Sequence, residues 1–491
     1  MPESSWPEND SYSEHEPLGS LFGDLSDQPE AESASSEPYR GDNRRRRAAI
    51  ALVVIWSGTI SLHFVAWGYW VVVGLTTLMG IQAARILLSR PLSAPAPLSE
   101  AAGDRFPLVS ILVAAKNEES VIDRLVKTLC ELDYPSSCCE LWVIDDNSTD
   151  ATPTRLQQLA QKYEQLRVFY RPANAGGGKS GALNQVLPLT KGEIIAVFDA
   201  DAQVSQDMLR RVLPLFQREE LGAVQVRKAV SNASENGWTQ GQVAEMALDS
   251  FYQRQRIAIG GIGELRGNGQ FVRREALEGC GGWNEATITD DLDLTFRLHL
   301  DQWDVDFMAL PAVEEEGVTQ AIALWHQRSR WAEGGYQRYL DYWRPILQNR
   351  MGTRKTIDLL MFWVIQYLLP TAIVPDLLMS ALRNRPLLVS PLTTLTLALS
   401  VLGTVAGLRQ IRSQTNTSRQ AGLAQDGKYP PKRVEPNLQL ASFLRLLLHT
   451  LFGTVYMFHW LPVVAVTTAR LSIRPKRLKW VKTIHQGEAK G

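Results

Sequence analysis

Apolar stretches of membrane-crossing length stand at both ends of this chain and frame a polar middle running from about residue 105 to 345. The first extends from Ala48 to Leu88 and breaks near Trp67-Gly68; the others are Ile357 to Leu382, Leu387 to Leu408 and Leu438 to Arg470. A crossing helix takes roughly 20 residues. Ala48–Leu88 therefore predicts two helices joined by a tight turn, and Leu438–Arg470 predicts one crossing plus an interfacial piece, or two short crossings. Arg44–Arg47 precede the first stretch and Arg85 and Arg90 close it, while the turn from His63 to Tyr69 carries no Lys or Arg. By the positive-inside rule both flanks face the cytoplasm. The same rule favours a cytoplasmic position for the basic tail Arg474–Lys482, and the number of C-terminal crossings stays open. Asp376 reads as the one intramembrane acid, facing protein, interface or a polar headgroup.

The expected organisation is an acidic disordered tail at 1–43, a transmembrane hairpin at 44–90, a linker at 91–104, a cytosolic domain at 105–345, a transmembrane region at 346–471 and a basic tail at 472–491. Residues 1–43 are rich in Asp, Glu, Ser and Pro and poor in aliphatics, so they have too little apolar surface to offset chain ordering. A net charge of −1 gives no basic footprint, and nucleic acid is not an expected partner. Cys130, Cys138, Cys139 and Cys280 lack zinc-type spacing and read as buried or incidental thiols.

Within the middle, Leu108–Ala114, Leu141–Ile144 and Ile194–Phe198 read as buried strands, and Glu119–Leu132 and Thr152–Tyr163 as helices. Alternation of this kind gives an α/β fold with a mostly parallel sheet, in which ligands bind beyond the carboxyl ends of the strands. Asp145 and Asp146 follow one of these strands, and Asp199 and Asp201 follow another. A single Asp at such a place is usually a turn former or helix cap. Two sets converging on one crevice instead suit a divalent cation and a diphosphate, because hard carboxylate oxygens hold Mg²⁺ or Mn²⁺ and the ion neutralises a leaving phosphate. Gly176-Gly-Gly-Lys179 allows close backbone approach and adds a cation at a helix start, but it lacks the leading Gly of an ATP-binding P-loop.

Four signatures occur in order: VIDDNSTD with Asp145-Asp146, FDAD with Asp199 and Asp201, TDD at Thr289-Asp290-Asp291, and QRSRW from Gln327 to Trp331. Together they resemble the D, DxD, TED and QxxRW pattern of membrane-bound family-2 glycosyltransferases. The resemblance implies a GT-A type Rossmann-like domain flanked by transmembrane helices. It further implies that Asp145 or Asp146 holds the nucleotide base, Asp199 and Asp201 the metal, and Lys179 the phosphates or donor sugar. Asp291 would be the general base with Asp290 beside it, Arg330 would pair with the diphosphate, Trp331 would stack on the acceptor end and Gln327 would bond near the reaction centre. Asp290 stands where the family more often carries Glu, and Lys116 where it often carries Tyr or Arg.

Such enzymes divide between processive polysaccharide synthases, such as cellulose synthases, and enzymes that add one sugar to a lipid. Few membrane segments are available for a translocation channel, and the resemblance, strongest to the lipid-glucosylating members, implies inverting transfer of glucose from UDP-glucose to the free hydroxyl of 1,2-diacylglycerol. The alternative is a processive β-glucan synthase. The resemblance also implies a multi-pass integral membrane protein with its catalytic domain on the cytoplasmic side, in a thylakoid or plasma membrane if the source is cyanobacterial.

Overall fold

The structure is a computed structural model that describes residues 43–100, 103, 105–425 and 436–473, with side chains described outside 414–443. The acidic and basic tails expected from the sequence lie outside the described residues. An N-terminal hairpin, α1 (Arg44–Leu62) and α2 (Gly68–Leu87), turns at the expected place. The chain then alternates β1 (Val109–Ala115), α3 (Ile122–Cys130), β2 (Cys139–Asp145), α4 (Thr152–Lys162), β3 (Leu166–Tyr170), α5 (Gly178–Val186), β4 (Ile194–Phe198) and α6 (Met208–Val212). It continues through β5 (Leu221–Val230), α7 (Gly237–Ala258), β6 (Gln270–Arg273), α8 (Arg274–Gly279), α9 (Asp290–Leu300), β7 (Asp304–Glu315) and α10 (Ala321–Leu347). Then follow α11 (Thr353–Trp363), a π-helical turn at Val364–Leu368, α12 (Leu369–Arg383), α13 (Ser390–Gln425), α14 (Pro436–Met457) and α15 (Trp460–Ile473).

The seven strands form one sheet in the order β3-β2-β1-β4-β6-β5-β7. β1 to β4 run parallel, β6 is antiparallel to both its neighbours, and β5 and β7 pair parallel. Side chains alternate strictly across the sheet, as the strand period of two requires. Val109, Ile111, Val113, Ile194, Ala196 and Phe198 enter one core with α3, α4 and α6. Leu112, Ile195 and Val197 enter a second core with α5, α8 and α9. Burial on both faces explains why these strands read as unbroken apolar runs. The two longest strands, β5 and β7, escape that pattern. Each mixes charge into its apolar run, and Pro311 sits inside β7, which a sheet edge tolerates.

Four helical stretches among the described residues are long and apolar enough to cross a membrane: Gly68–Leu87, Thr353–Arg383, Ser390–Ser413 and Leu444–Ile473. α1, which opens with four arginines, falls short of that standard, so the hairpin supplies one such stretch where the sequence predicted two. Its Arg44 is instead buried against α10, where its Nε lies 2.9 Å from each carboxylate oxygen of Asp341. Leu438–Arg470 resolves into α14 and α15, bent at His459. Asp376 is not the only acid in its membrane-length stretch, since Asp358 lies in the same one. Asp376 faces protein: it bonds His63 Nε2 at 2.7 Å and accepts from the Leu388 and Val389 amides at 3.0 and 3.1 Å. This ties the turn of the N-terminal hairpin to the turn before α13.

Candidate active site

β1, β2 and β4 stop at one edge of the sheet because their parallel register pairs Ala115 with Asp145 and Val113 with Phe198. The residues that follow, Lys116 to Glu118, Asp146, and Asp199 to Asp201, line a single cavity of about 1100 Å³. Asp146 is paired with Arg171, and Lys116 Nζ stands 3.7 Å from it. Asp145 is set apart from the cavity wall: it is buried, and its Oδ1 accepts from the Ser148 amide at 3.3 Å. Arg171 also donates to the carbonyls of Gly176 and Gly178, which fixes the glycine loop beside Asp146. From that loop Lys179 enters α5 and pairs with Asp199. Burial works against the lysine's charge, but Asp199, and after it Asp290 and Asp291, hold its pKa above the usual value.

Asp290 and Asp291 occupy the first turn of α9, where the helix dipole favours a carboxylate. Burial nevertheless pushes the Asp291 carboxyl up to about 6, helped by the charge of Asp290 and opposed by Lys179 and Arg266. A carboxylate poised there suits a general base near neutral pH. α10 crosses directly over this turn. A Cβ on Gly334 would sit 2.2 Å from Thr289 Oγ1, so only glycine lets the two elements approach so closely. The next residue, Gly335, faces Tyr367 in the same way, with a Cβ 2.3 Å from the hydroxyl.

Gln327, Arg328, Arg330 and Trp331 of α10 form the wall facing the carboxylates. Burial lowers the Arg330 pKa, while Asp291 and Asp199 raise it, so this guanidinium lies in the field of both acids. Trp331 is bracketed by cations, with Arg328 Cζ 4.1 Å and Lys228 Nζ 5.3 Å from the ring centre. Arg328 is itself buried in an ion pair with Glu245 of α7. Glu245 also accepts from Trp460 Nε1 at 2.8 Å and Tyr456 hydroxyl at 3.3 Å, joining α10 to α7, α14 and α15.

The candidate metal ligands fit a hard cation only in part. Asp201 Oδ2 accepts from the Glu316 amide at 3.2 Å, and among the described residues no group of three or more His, Cys, Asp or Glu side chains could hold an ion. A pair of carboxylates with the remaining places left to phosphate oxygens and water is how proteins commonly hold Mg²⁺ beside a nucleotide.

Sequence reasoning overlooked the second wall of the cavity. Glu245, Asp249, Gln253 and Arg256 recur every three or four residues along one face of α7, and Lys228, Arg266 and Glu315 come from β5, the loop before β6 and the end of β7. The polar stripe on α7 was a usable signal. The pairing of Lys228 Nζ with Glu315 Oε1 at 2.9 Å was not, since it depends on strand register. Away from the carboxylates the cavity runs on between helices, lined by Met361, Phe362, Ile365, Leu369, Ile373 and Leu397.

A family model described as Glycosyl transferase family 2 matches residues 110–281. Over 490 residues the chain is 58% identical to the beta-monoglucosyldiacylglycerol synthase of Nostoc sp., with 99% of each chain covered. To the beta-monoglucosyldiacylglycerol synthase of Synechocystis sp. it is 52% identical over 489 residues, covering 99% of this chain and 97% of that one. Among solved structures, a mannosyltransferase from Pyrobaculum calidifontis in complex with GDP-Man and Mn²⁺ is similar in fold over 87% of this chain and 99% of its own, at TM-score 0.50 and 20% identity.

Proposed function

The chain belongs to the beta-monoglucosyldiacylglycerol synthases of glycosyltransferase family 2, an inverting family, and from that membership we propose how its residues carry out the transfer. The enzyme glucosylates diacylglycerol; a polysaccharide product is not favoured. UDP-glucose is the donor we assign. What carries the reading of a polar donor meeting a lipid acceptor is the continuity of one cavity from the carboxylates of Asp199, Asp201 and Asp291 to the apolar side chains of α11, α12 and α13. A polar donor and a lipid acceptor need opposite surroundings, and this cavity offers both.

In the proposed reaction Asp146 and the loop after β1 hold the base, and Lys179 and Arg330 face the diphosphate. Asp199 and Asp201 would hold a divalent cation, Mg²⁺ or Mn²⁺, whose charge offsets that of the departing UDP. Asp291 takes the proton from the glycerol hydroxyl as its oxygen attacks the anomeric carbon. The bond from that carbon to the UDP oxygen breaks on the opposite face, and its electron pair leaves with UDP. One such displacement turns the α-linked donor into a β-glucoside. Trp331, held by Arg328 and Lys228, forms the wall against which the acceptor end rests. We assign the domain to the cytoplasmic side of a multi-pass membrane protein, on Arg85 and Arg90, which close the membrane-length helix α2 at the end that leads into the catalytic domain.

The test is product analysis: full-length protein in detergent, radiolabelled UDP-glucose, Mg²⁺ and diacylglycerol, followed by chromatography and β-glucosidase digestion. A single β-glucosidase-sensitive glycolipid that requires diacylglycerol is the expected result. Label left as polymer, or equal use of UDP-galactose, overturns the acceptor or the donor assignment respectively.

A further inference from the structure

Among the residues that line the cavity and those behind them lies a belt of paired ions. Arg256 Nε lies 2.9 Å from Asp358 Oδ2, Arg266 Nη2 lies 2.7 Å from Asp249 Oδ1 and 2.8 Å from Glu264 Oε2, and Arg338 Nη1 lies 2.8 Å from Glu264 Oε1. Three guanidinium groups face three carboxylates, so the belt is neutral as it stands. Its donors are not all used. Nε, Nη1 and Nη2 of Arg338, Nη2 of Arg256 and Oε1 of Glu264 are buried without a hydrogen-bond partner, Nη1 and Oε1 being close but not aligned to bond each other, and both arginines line the cavity. Arg338 is 2% exposed and Arg256 4%.

An interior guanidinium N–H left unmet is costly, and native structures rarely keep one without a reason. What would meet these donors must bring acceptor oxygens and no net charge, since an anion would upset a balanced belt. It must also carry apolar groups, because Phe362, Ile365 and Leu369 lie beyond. A carboxylic ester does this: its carbonyl accepts and it is neutral. The position suits an ester close to the reacting hydroxyl. Arg338 lies seven residues beyond Trp331 on α10, two turns or about 10 Å along the axis on nearly the same face.

We propose that Arg338 and Arg256 form an ester-recognition subsite, donating to the acyl carbonyls of the acceptor while its free hydroxyl faces Asp291. The subsite rests on the acceptor reading given above and assigns to these two arginines the choice of ester-linked over ether-linked glycerolipids.

The experiment compares 1,2-diacylglycerol with 1,2-dialkylglycerol of matched chain length, using the full-length wild-type enzyme in mixed micelles and radiolabelled UDP-glucose. The ether acceptor keeps the hydroxyl and the tails and lacks only the carbonyls. Its KM should be at least about tenfold higher, the loss expected for a charge-assisted hydrogen bond. Arg338→Lys keeps a cation for Glu264 but loses the planar fork. It should raise the KM for diacylglycerol by a similar factor, leave that for dialkylglycerol unchanged and leave the KM for UDP-glucose unchanged. Equal KM values for the two acceptors in wild type overturn the subsite, and would mean that water held in the fold meets these donors. A variant that penalises both acceptors alike overturns the assignment to Arg338. Transfer to neither acceptor by wild type overturns the diacylglycerol reading itself.

Discussion

Lys179 and Asp199 form an ion pair at the mouth of the cavity, so the first carboxylate of the Asp-Ala-Asp segment already carries a counter-charge within the fold. The donor diphosphate would meet a lysine that is kept charged despite its burial. Lys179→Met should raise the KM for UDP-glucose by roughly ten- to a hundredfold, the range of one or two charge-assisted hydrogen bonds. The KM for diacylglycerol should hardly move. Steady-state kinetics with each substrate varied in turn separates the two, and an effect confined to the lipid would contradict the role given to this lysine.

Chelation tests the metal. Excess EDTA should stop transfer, and Mg²⁺ or Mn²⁺ should restore it. Asp201→Asn should shift the metal concentration needed for half-maximal rate upward, because an amide oxygen is a weaker ligand for a hard cation than a carboxylate. Turnover that persists in chelator would leave Lys179 and Arg330 as the whole positive charge facing the diphosphate.

Burial and the neighbouring charge of Asp290 push Asp291 up to about 6, so in its proposed role as base it would be protonated and inactive on the acid side of that value. The pH profile of kcat/KM should rise through an apparent pKa near 6, a property of the Asp290–Asp291 pair as a whole. Removing the negative neighbour with Asp290→Asn favours ionisation of Asp291. The acid limb should then move to lower pH. A limb that stays in place, or moves upward, would count against this coupling.

At Gly334 a methyl group has no room beside Thr289. Gly334→Ala should therefore cost about 1–3 kcal/mol of stability through overpacking. It should also lower kcat, since any relief moves α10 away from the turn that carries Asp291. Thr289→Ser removes one methyl from the crowded side and should partly rescue the variant; thermal unfolding and initial rates together report on it.

Arg328 is buried against Glu245. Truncating it to Ala leaves an unpaired acid inside the protein and should cost roughly 3–5 kcal/mol. Arg328→Ala and Glu245→Ala should not add: the double variant should be less damaged than the sum of the two, by an amount a double-mutant cycle in thermal unfolding reads directly. Simple additivity would mean that the two side chains are not energetically coupled.

Local signals carried much of this fold. β1, β2 and β4 were legible because both faces of each are buried and their side chains are almost all apolar. The acids at their ends followed from strand geometry alone. Thr289-Asp290-Asp291 and Gln327–Trp331 were legible only through family resemblance, since nothing in their local pattern separates a catalytic helix start from an ordinary acidic cap. Lys228, Glu245, Arg266 and Arg338 were missed for a different reason. Each acts through a partner far away in sequence, and a charge on a helix or strand reads as solvated until its neighbour is known. Asp358 was missed because it stands close to Arg354 and Lys355 at the polar start of α11 and reads as part of a solvated helix end, whereas in space it answers Arg256.

The cavity extends from the carboxylates to helices long and apolar enough to cross a bilayer, and this sets the currency in which the acceptor is counted. Diacylglycerol does not dissolve in the surrounding water to reach Asp291; it arrives by lateral diffusion in a sheet two molecules thick. Its effective concentration is thus a mole fraction of the membrane. Adding inert phospholipid at constant total diacylglycerol should slow the enzyme as surely as withdrawing substrate, while the soluble donor keeps to ordinary three-dimensional kinetics. The protein works as a junction between two phases, and its rate is set by the composition of the thinner one.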